Sequence, residues 1–406
     1  MQAWLAKPRD VGFTEAEVRS TLLLDHAPLV RHGVDVLDAA DKATGETVPV
    51  DLSDGGEVVW AFRPPDDVAG GADATTDVAA VRRTATLNLT GAVDVPIFAR
   101  RFRPWIELLS PQDRWVRFHL GVFVATLPPV VDDGVLIRRN LELVDKSHRY
   151  RRLLADTVSV PPGTNLVQWV IDMLAARFGE TSFSIPASTF TSTEGYVQHA
   201  DGQATWLDVF NSVLQTAAYD QLTVDANGRP RARPLSEIAG RASEHTYGPA
   251  AGKIVVAGRV ESLLPTVPNV LRFVARQGPS LAEDGNGIRI VRNQSTGPAS
   301  IDERGEEDEL VVEVDAEDQT ELDQIAVVEA QRYFAGGGLR FSGQVGLNPR
   351  HGDRDVITLD KPRLGLSGEW LVTEWRLPLR RITSADAVLM SLTCEQRVDV
   401  STEEGS

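Results

Sequence analysis

The stretch from Arg82 to Asp145 decides the fold, because apolar and polar residues alternate in four closely spaced runs. These runs are Thr84-Ala-Thr-Leu-Asn-Leu-Thr90, Trp105-Ile-Glu-Leu-Leu109, Trp115-Val-Arg-Phe-His-Leu120 and Arg139-Asn-Leu-Glu-Leu-Val-Asp145. A period of two is typical of strands with one buried face. Gly121 predicts a bend before the third run continues into Val122-Phe-Val124. Four such strands predict a meander that closes into a small barrel or sandwich.

The 406-residue chain is long enough for roughly two to four domains. Thr14-Glu-Ala-Glu17 matches a capping box and predicts a short helix to about Leu24. Further strands are predicted at Val34–Leu37, Thr47–Val50 and Glu57–Phe62, followed by a Gly- and Asp-rich loop from Asp66 to Thr76. We therefore predict an N-terminal helix or extension over residues 1–30 and a first β domain over residues 31–147.

Helical periodicity then replaces the alternation. The apolar stripe of a first helix ending near Phe178 is Leu166, Val170, Met173 and Leu174, and that of a second helix is Leu207, Phe210, Leu214 and Ala217. Thr205 is the expected N-cap of the second helix, and core packing is favoured over a binding groove for both stripes. A hairpin is predicted from Gln221 to Pro234, because Asn227-Gly228 supplies the positive φ angles of its turn. Residues 148–250 are thus predicted to form a smaller α/β insert.

The last third of the chain returns to strands. They are predicted at Lys253–Ala257, Val270–Ala275, Gly287–Val291, Glu309–Val314, Leu339–Val345, Gly368–Leu379 and Ala387–Leu392. One helix is expected over about residues 320–334, ended by Gly336-Gly-Gly338. This predicts a C-terminal β-rich domain over residues 251–400 and a flexible polar tail over residues 401–406.

The formal charge of −17 and the pI near 4.9 argue against nucleic-acid binding. Two short basic runs, Arg100–Arg103 and His148–Arg152, are better explained as a solvated face or an intersubunit salt-bridge site than as a DNA groove. The same acidic balance would suit a protein that forms a conduit for DNA, because an acidic channel wall repels DNA and lets it pass without binding. No apolar run approaches the roughly 20 residues of a membrane helix, and the N-terminus lacks signal-peptide features. A protein that is soluble when made, with Cys394 as a buried structural thiol, is expected.

Motifs of known chemistry are absent from the sequence: there is no nucleophile elbow, phosphate loop, cysteine pair or His-Glu-x-x-His. His351, Asp353 and Asp355 come nearest to a metal cluster, but a structural turn is the favoured interpretation. A turn is also favoured over a calcium loop at Asp225 and Asn227, and a solvated loop over a metal site for the acidic run 302–309. We predict no catalytic, cofactor-binding or metal-binding residues.

Several segments together resemble a known family. They are Ala80–Leu87, Phe102–Trp105, Phe118–Phe123, Leu143–Ser147, Thr205–Val209, Tyr219, Val224-Asp225 and Gly228-Arg229. Their order and spacing resemble the minor tail proteins of phages that infect actinobacteria, which are similar to the trimeric hub protein at the distal end of the phage tail tube. The resemblance implies an α+β, β-rich fold in which two tail-tube-like β-barrel or sandwich domains flank the α/β insert.

The same resemblance implies a structural function. Two β domains in one chain would let a homotrimer present six modules to a six-fold tail tube, around a channel through which DNA passes without sequence-specific binding. The implied partners are distal tail and tail-tube proteins, other tail-tip or tail-fibre proteins, and the tape measure protein. The implied location is the tail tip of the virion.

Two alternatives from other functional classes remain open. A tail-associated cell-wall hydrolase would need two carboxylates set opposite each other, for which Glu107 and Glu142 are candidates. A receptor- or carbohydrate-binding module would need exposed aromatic rings, for which Trp60, Trp105 and Trp115 are candidates. Packing in a core or an interface is the favoured use of these tryptophans.

Overall fold

The computed structural model describes most of the chain. The described residues are 14, 21, 29–51, 55–61, 83–90, 95–126, 130–132, 137–192, 195–234, 241–249, 255–262, 267–275, 287–295, 297–314, 316, 318–335, 339–352, 354–380, 389–397 and 401–404. The helix predicted from Thr14 to Leu24 lies outside them except for Thr14 and Thr21, and the loop predicted from Asp66 to Thr76 lies wholly outside them.

The four alternating runs of the deciding stretch all form strands. The strands of the N-terminal part are β1 (Val30–Leu37), β2 (Gly56–Ala61), β3 (Arg83–Thr90), β4 (Arg101–Leu109), β5 (Trp115–His119), β6 (Phe123–Ala125), β7 (Val130–Asp132) and β8 (Ile137–Asp145). Gly121 lies between β5 and β6, at the predicted bend. The strand predicted at Thr47–Val50 is wrong, because only a single bridge joins Val50 to Leu89.

The described residues of the C-terminal part form ten further strands and two α-helices. The strands are β13 (His245–Tyr247), β14 (Val255–Ser262), β15 (Val270–Ala275), β16 (Ile288–Arg292), β17 (Glu309–Val314), β18 (Leu339–Gly346), β19 (Val356–Leu359), β20 (Glu369–Pro378), β21 (Leu389–Gln396) and β22 (Ser401–Glu404). The helices are α3 (Ile301–Arg304) and α4 (Gln319–Ala335), which are numbered after the two helices of the insert.

One sheet runs through both β regions. Its path is β1-β4-β6-β8-β3-β2-β20-β21-β18-β14, with β5, β7, β13 and β19 paired beside it. The regions meet where β2 pairs antiparallel with β20, in a register that sets Trp60 opposite Trp375. Both tryptophans are buried in a single apolar core that draws on both regions. The β-rich class is therefore confirmed, while among the described residues no pairing joins β1 to β14 to close a barrel.

A second, four-stranded sheet with the order β17-β15-β16-β22 forms a separate core with α4. Leu271, Phe273 and Leu322 are fully buried in that core. The flexible tail predicted over residues 401–406 is wrong for residues 401–404, because β22 pairs antiparallel with β16. Backbone hydrogen bonds hold this strand in the sheet. Its residues are polar, so the sequence contains no apolar alternation that would predict it.

The insert contains α1 (Leu166–Phe178), α2 (Trp206–Thr216), and the strands β9 (Val158–Val160), β10 (Tyr196–Gln198), β11 (Thr223–Val224) and β12 (Pro230–Arg231). Both predicted apolar stripes pack into one core, as the sequence indicates. Its centre is aromatic, with the ring of Phe210 contacting those of Tyr150, Phe178 and Trp206.

The predicted hairpin forms between β11 and β12, but its turn differs from the expected one. Gly228 has φ +84°, whereas Asn227 is not among the described residues with positive φ. The Asp225 carboxylate instead accepts the Asn227 N–H at 2.9 Å and the Arg229 N–H at 3.0 Å. An Asx-type turn therefore replaces the expected turn with two left-handed residues.

Thr205 caps α2 as predicted. Its Oγ1 accepts the Asp208 N–H at 3.3 Å, and the Asp208 carboxylate accepts the Thr205 N–H at 2.8 Å. We expect Thr205→Ala to lower the free energy of unfolding by about 1 kcal/mol, since it orphans an N–H at the helix start. Thr216→Ala at the other end of α2 is the matched control, and denaturant unfolding is the measurement. Equal losses in both variants would contradict the assigned cap.

Candidate functional site

The most complete polar arrangement in the described chain is a buried group that we call the His–Asp cluster: His245, Tyr247, Asn348, His351 and Asp355. His245 and Tyr247 lie on β13, which pairs in parallel with β19. The other three members lie on the loop that leads from β18 into β19. Pairing of β13 with β19 thus brings together residues that are far apart in the sequence.

A chain of hydrogen bonds runs through the cluster from Asn348 to Asp355. The Asn348 amide donates to the Tyr247 hydroxyl at 3.3 Å, and that hydroxyl lies 2.6 Å from His351 Nε2. His351 Nδ1 lies 3.2 Å from Asp355 Oδ2. Burial raises the pKa of Tyr247, so its phenol stays protonated. The phenol therefore donates to His351 Nε2, and the network assigns the ring proton to Nδ1, where it faces the Asp355 carboxylate.

The Asp355 side chain, which is fully buried, is held from three sides. Besides His351, the Gly352 N–H donates to Oδ2 at 2.6 Å, and Arg241 Nη2 donates to Oδ1 at 2.7 Å. Arg241 also pairs with Glu244. A buried carboxylate needs such donors, and these bonds hold the loop around Asp355 in place.

The sequence named His351, Asp353 and Asp355 as the nearest approach to a metal cluster. The structure brings His351 and Asp355 together, and Asp353 lies outside the described residues. The third member is His245, whose ring packs edge-on to that of His351 with centroids 4.9 Å apart. One ligand atom from each of His245, His351 and Asp355 lies within 4.8 Å of the others. Sequence spacing could not reveal His245, because only the β13–β19 pairing places it there.

A second buried group joins the N-terminal sheet to the insert; we call it the Lys146 cluster. The fully buried Lys146 Nζ donates to Asp41 Oδ2 and to Glu180 Oε2, both at 2.6 Å. The Tyr150 hydroxyl donates to Glu180 Oε1 at 2.9 Å, and burial raises the pKa of Tyr150 well above its usual range. Because Glu180 follows the end of α1 while Asp41 follows β1, this cluster fixes the insert to the sheet.

The basic run Arg100–Arg103 is neutralised within the chain. Arg100 Nη2 donates to Glu46 Oε1 at 2.9 Å, Arg101 pairs with Asp41, and Arg103 Nη2 donates to Asp35 Oδ2 at 2.8 Å. In the other basic run, Arg149 lies 3.9 Å from Glu180. Arg100, Arg101, Arg103 and Arg149 thus pair with acids of the same chain, while the intersubunit salt bridges suggested for these runs stay a prediction.

The carboxylates proposed for hydrolysis do not form a pair. Glu107 is buried between two arginines, with Arg117 Nε 2.8 Å from its Oε1 and Arg31 at its Oε2. Through β6, the register of β4 and β8 sets Glu107 and Glu142 eight positions apart along the strand direction. At about 3.3 Å per residue this is roughly 25 Å, far beyond the separation that glycoside hydrolysis needs.

The tryptophans proposed for carbohydrate stacking already contact other parts of the chain. Trp60 is fully buried in the main core. The guanidinium of Arg117 lies 4.0 Å from the ring centre of Trp105, and that of Arg31 lies 4.2 Å from that of Trp115. Each of these two rings therefore has one face covered by a cation.

The remaining predicted features are structural. Cys394 is buried, and burial raises the pKa of its thiol well above the usual range, as expected for a structural cysteine. The acidic run contains α3 rather than only a loop, and Glu307 and Glu309 pair with Arg292 and Arg272. In the described part of the chain, no helix has both the length and the apolar character needed to cross a membrane.

Two solved structures with a similar fold are tail proteins. The tail protein from Neisseria meningitidis MC58 has a TM-score of 0.57 and 9% identity, with 90% of this chain and 97% of that chain covered. The 43 kDa tail protein of prophage MuSo2 from Shewanella oneidensis has a TM-score of 0.55 and 10% identity, with 90% and 98% covered. No protein-family model and no curated protein sequence matches this chain. The comparison therefore shows that this chain has a fold similar to those of these two tail proteins.

Proposed function

We propose that this chain is a structural protein of the phage tail, a minor tail protein that forms a homotrimeric hub at the distal end of the tail tube. The observation that carries the proposal is the extent of the fold likeness. It covers 90% of this chain and 97–98% of two tail proteins, including the insert as well as the β regions.

The arrangement of the sheet supports this role. The 14-stranded sheet divides at the β2–β20 pairing into eight strands from the N-terminal region (β1–β8) and six from the C-terminal region (β13, β14 and β18–β21). If each group is one tail-tube-like module, residues 31–147 and 251–400 supply two modules per chain, and three chains present six modules to a six-fold tube. The insert, whose core runs from Tyr150 to Ala232, then lies outside the tube layer, joined to it through the Lys146 cluster. The end of the predicted range 148–250 is an exception, because β13 pairs with β19 in the main sheet.

Charge supports a channel for DNA. The chain carries −17, and the arginines of the run Arg100–Arg103 are each paired with an acid of the same chain. A ring of three such chains surrounds DNA with a wall that repels phosphate, so DNA passes during ejection without specific binding. The partners in this role are tail-tube proteins, other tail-tip or tail-fibre proteins, and the tape measure protein.

The hydrolase alternative loses its candidate pair, and the carbohydrate-binding alternative loses Trp60. A hydrolase cannot use Glu107 and Glu142 as a pair across roughly 25 Å, and Trp60 is too deeply buried to contact a sugar. We therefore propose a role without catalysis and without a cofactor.

Light scattering of the purified full chain tests the proposed assembly. We expect a trimer of about 133 kDa, which is three times the 44.2 kDa chain. The same sample, incubated with purified cell wall, should release no soluble fragments. A monomer at every concentration, together with lysis or glycan binding, would contradict the hub and favour one of the alternatives.

A further inference from the structure

We infer that the His–Asp cluster is a binding site for a divalent transition-metal ion, with His245, His351 and Asp355 as its three protein ligands. Two imidazoles and one carboxylate form a donor set that suits zinc and neighbouring first-row ions. This site goes beyond the proposed tail function, and it does not depend on that function.

The distances within the cluster fit such an ion. Bonds of 2.0–2.1 Å in a tetrahedral site set neighbouring ligand atoms about 3.3 Å apart. Asp355 Oδ2 lies 3.2 Å from His351 Nδ1 and 3.8 Å from His245 Nε2. All three ligand atoms lie within 4.8 Å of one another, so an ion fits between them once the widest of these distances closes to about 3.3 Å. Its binding moves the His351 ring proton from Nδ1 to Nε2.

The surrounding groups suit both the metal-free and the metal-bound forms. In the metal-bound form the His351 ring carries its proton on Nε2, which then donates to the Tyr247 hydroxyl 2.6 Å away. A hydroxyl can accept as well as donate, so Tyr247 serves either tautomer. Metal-binding histidines almost always have such an outer partner on the second ring nitrogen.

Charge and exposure define what kind of site this is. The His351 and Asp355 side chains are at most 1% exposed, whereas that of His245 is 11% exposed and gives the ion a route from solvent. Arg241 binds Asp355 Oδ1, whereas Oδ2 accepts the Gly352 N–H at 2.6 Å and offers its second lone pair to the ion. The nearby guanidinium opposes a second cation, so we expect weaker binding than at a structural zinc site with four protein ligands.

Titration of untagged protein, first stripped with a chelator, tests the inference. Zn²⁺ measured by calorimetry and Co²⁺ measured by visible absorption should each bind with one ion per chain. His245→Gln should weaken binding by at least about 100-fold, because it removes a ligand and leaves the contact between His351 and Asp355 intact. Tyr247→Phe should weaken it by roughly 10–100-fold, as expected for an outer partner. His199→Gln, at an exposed histidine elsewhere, should change nothing.

Three results would overturn the site. They are the absence of Zn²⁺ and Co²⁺ binding by the wild-type chain, equal affinities of the wild type and His245→Gln, and an equal loss in His199→Gln. Should His245→Gln fail to fold, X-ray absorption of the wild-type chain loaded with one Zn²⁺ decides the question. Two imidazole nitrogens and a carboxylate oxygen at about 2.0–2.2 Å support the site, and any other ligand set rejects it.

Discussion

Replacing Lys146 with methionine is expected to lower the free energy of unfolding by about 3–5 kcal/mol, because it removes the cation that two acids share. Nζ lies 2.6 Å from both Asp41 Oδ2 and Glu180 Oε2, and the Glu180 side chain is only 5% exposed. Methionine fills a similar volume but leaves the Glu180 carboxylate buried without this cation. Denaturant unfolding measures the loss, and hydrogen exchange should show faster opening of residues 146–180.

Lys42→Met is the matched control, since Lys42 is an exposed lysine close to the same region. Its effect should stay within about 0.5 kcal/mol. Adding Glu180→Gln to Lys146→Met should recover part of the loss, because the buried charge is then removed together with its partner. A loss below about 1 kcal/mol in Lys146→Met would show that the cluster does not hold the insert to the sheet.

Gly56→Ala is expected to destabilise the junction of the two β regions by roughly 2–5 kcal/mol, combining left-handed backbone strain with overpacking. Gly56 has φ +99°, and a Cβ there would lie 1.9 Å from the Thr86 carbonyl oxygen on β3. The Gly56 carbonyl also accepts the Leu379 N–H, just beyond β20, at 2.8 Å. Alanine therefore pushes β2 away from its neighbour at the point where the sheet passes from one region to the other.

Gly45→Ala provides the comparison, because Gly45 has φ +78° and a Cβ there would meet nothing within 4 Å. It carries the backbone strain alone and should cost about 1–2 kcal/mol. Thermal and denaturant unfolding of the two variants separate the strain from the clash. If Gly56→Ala costs no more than Gly45→Ala, the close approach of β2 to β3 is wrong.

Local patterns in the sequence were sufficient for most individual elements. The stripe from Leu166 to Phe178 is α1, and Thr205 is the expected N-cap of α2, because helix period and capping depend on residues only a few positions apart. The alternating runs likewise became strands. Local patterns failed at Thr47–Val50, where the apolar residues make only a single bridge, and at β22, whose polar residues carry no strand signal and are held by backbone pairing with β16.

Long-range pairing was beyond the reach of those patterns. Alternation identifies β2 and β20 as strands, but it does not say that they are neighbours, so the continuous sheet was not predicted. The same limit applies to the candidate site. His351 and Asp355 were noticed because they are close in sequence, whereas His245 joins them only through the pairing of β13 with β19.

The most direct measurement of the central proposal is a cryo-electron-microscopy reconstruction of the assembled protein. We predict a three-fold ring of three chains in which the N-terminal and C-terminal strand groups form two superposable modules per chain, so that six modules surround an open, acidic bore. A reconstruction with one module per chain, with two modules that do not superpose, or without a bore would contradict the hub.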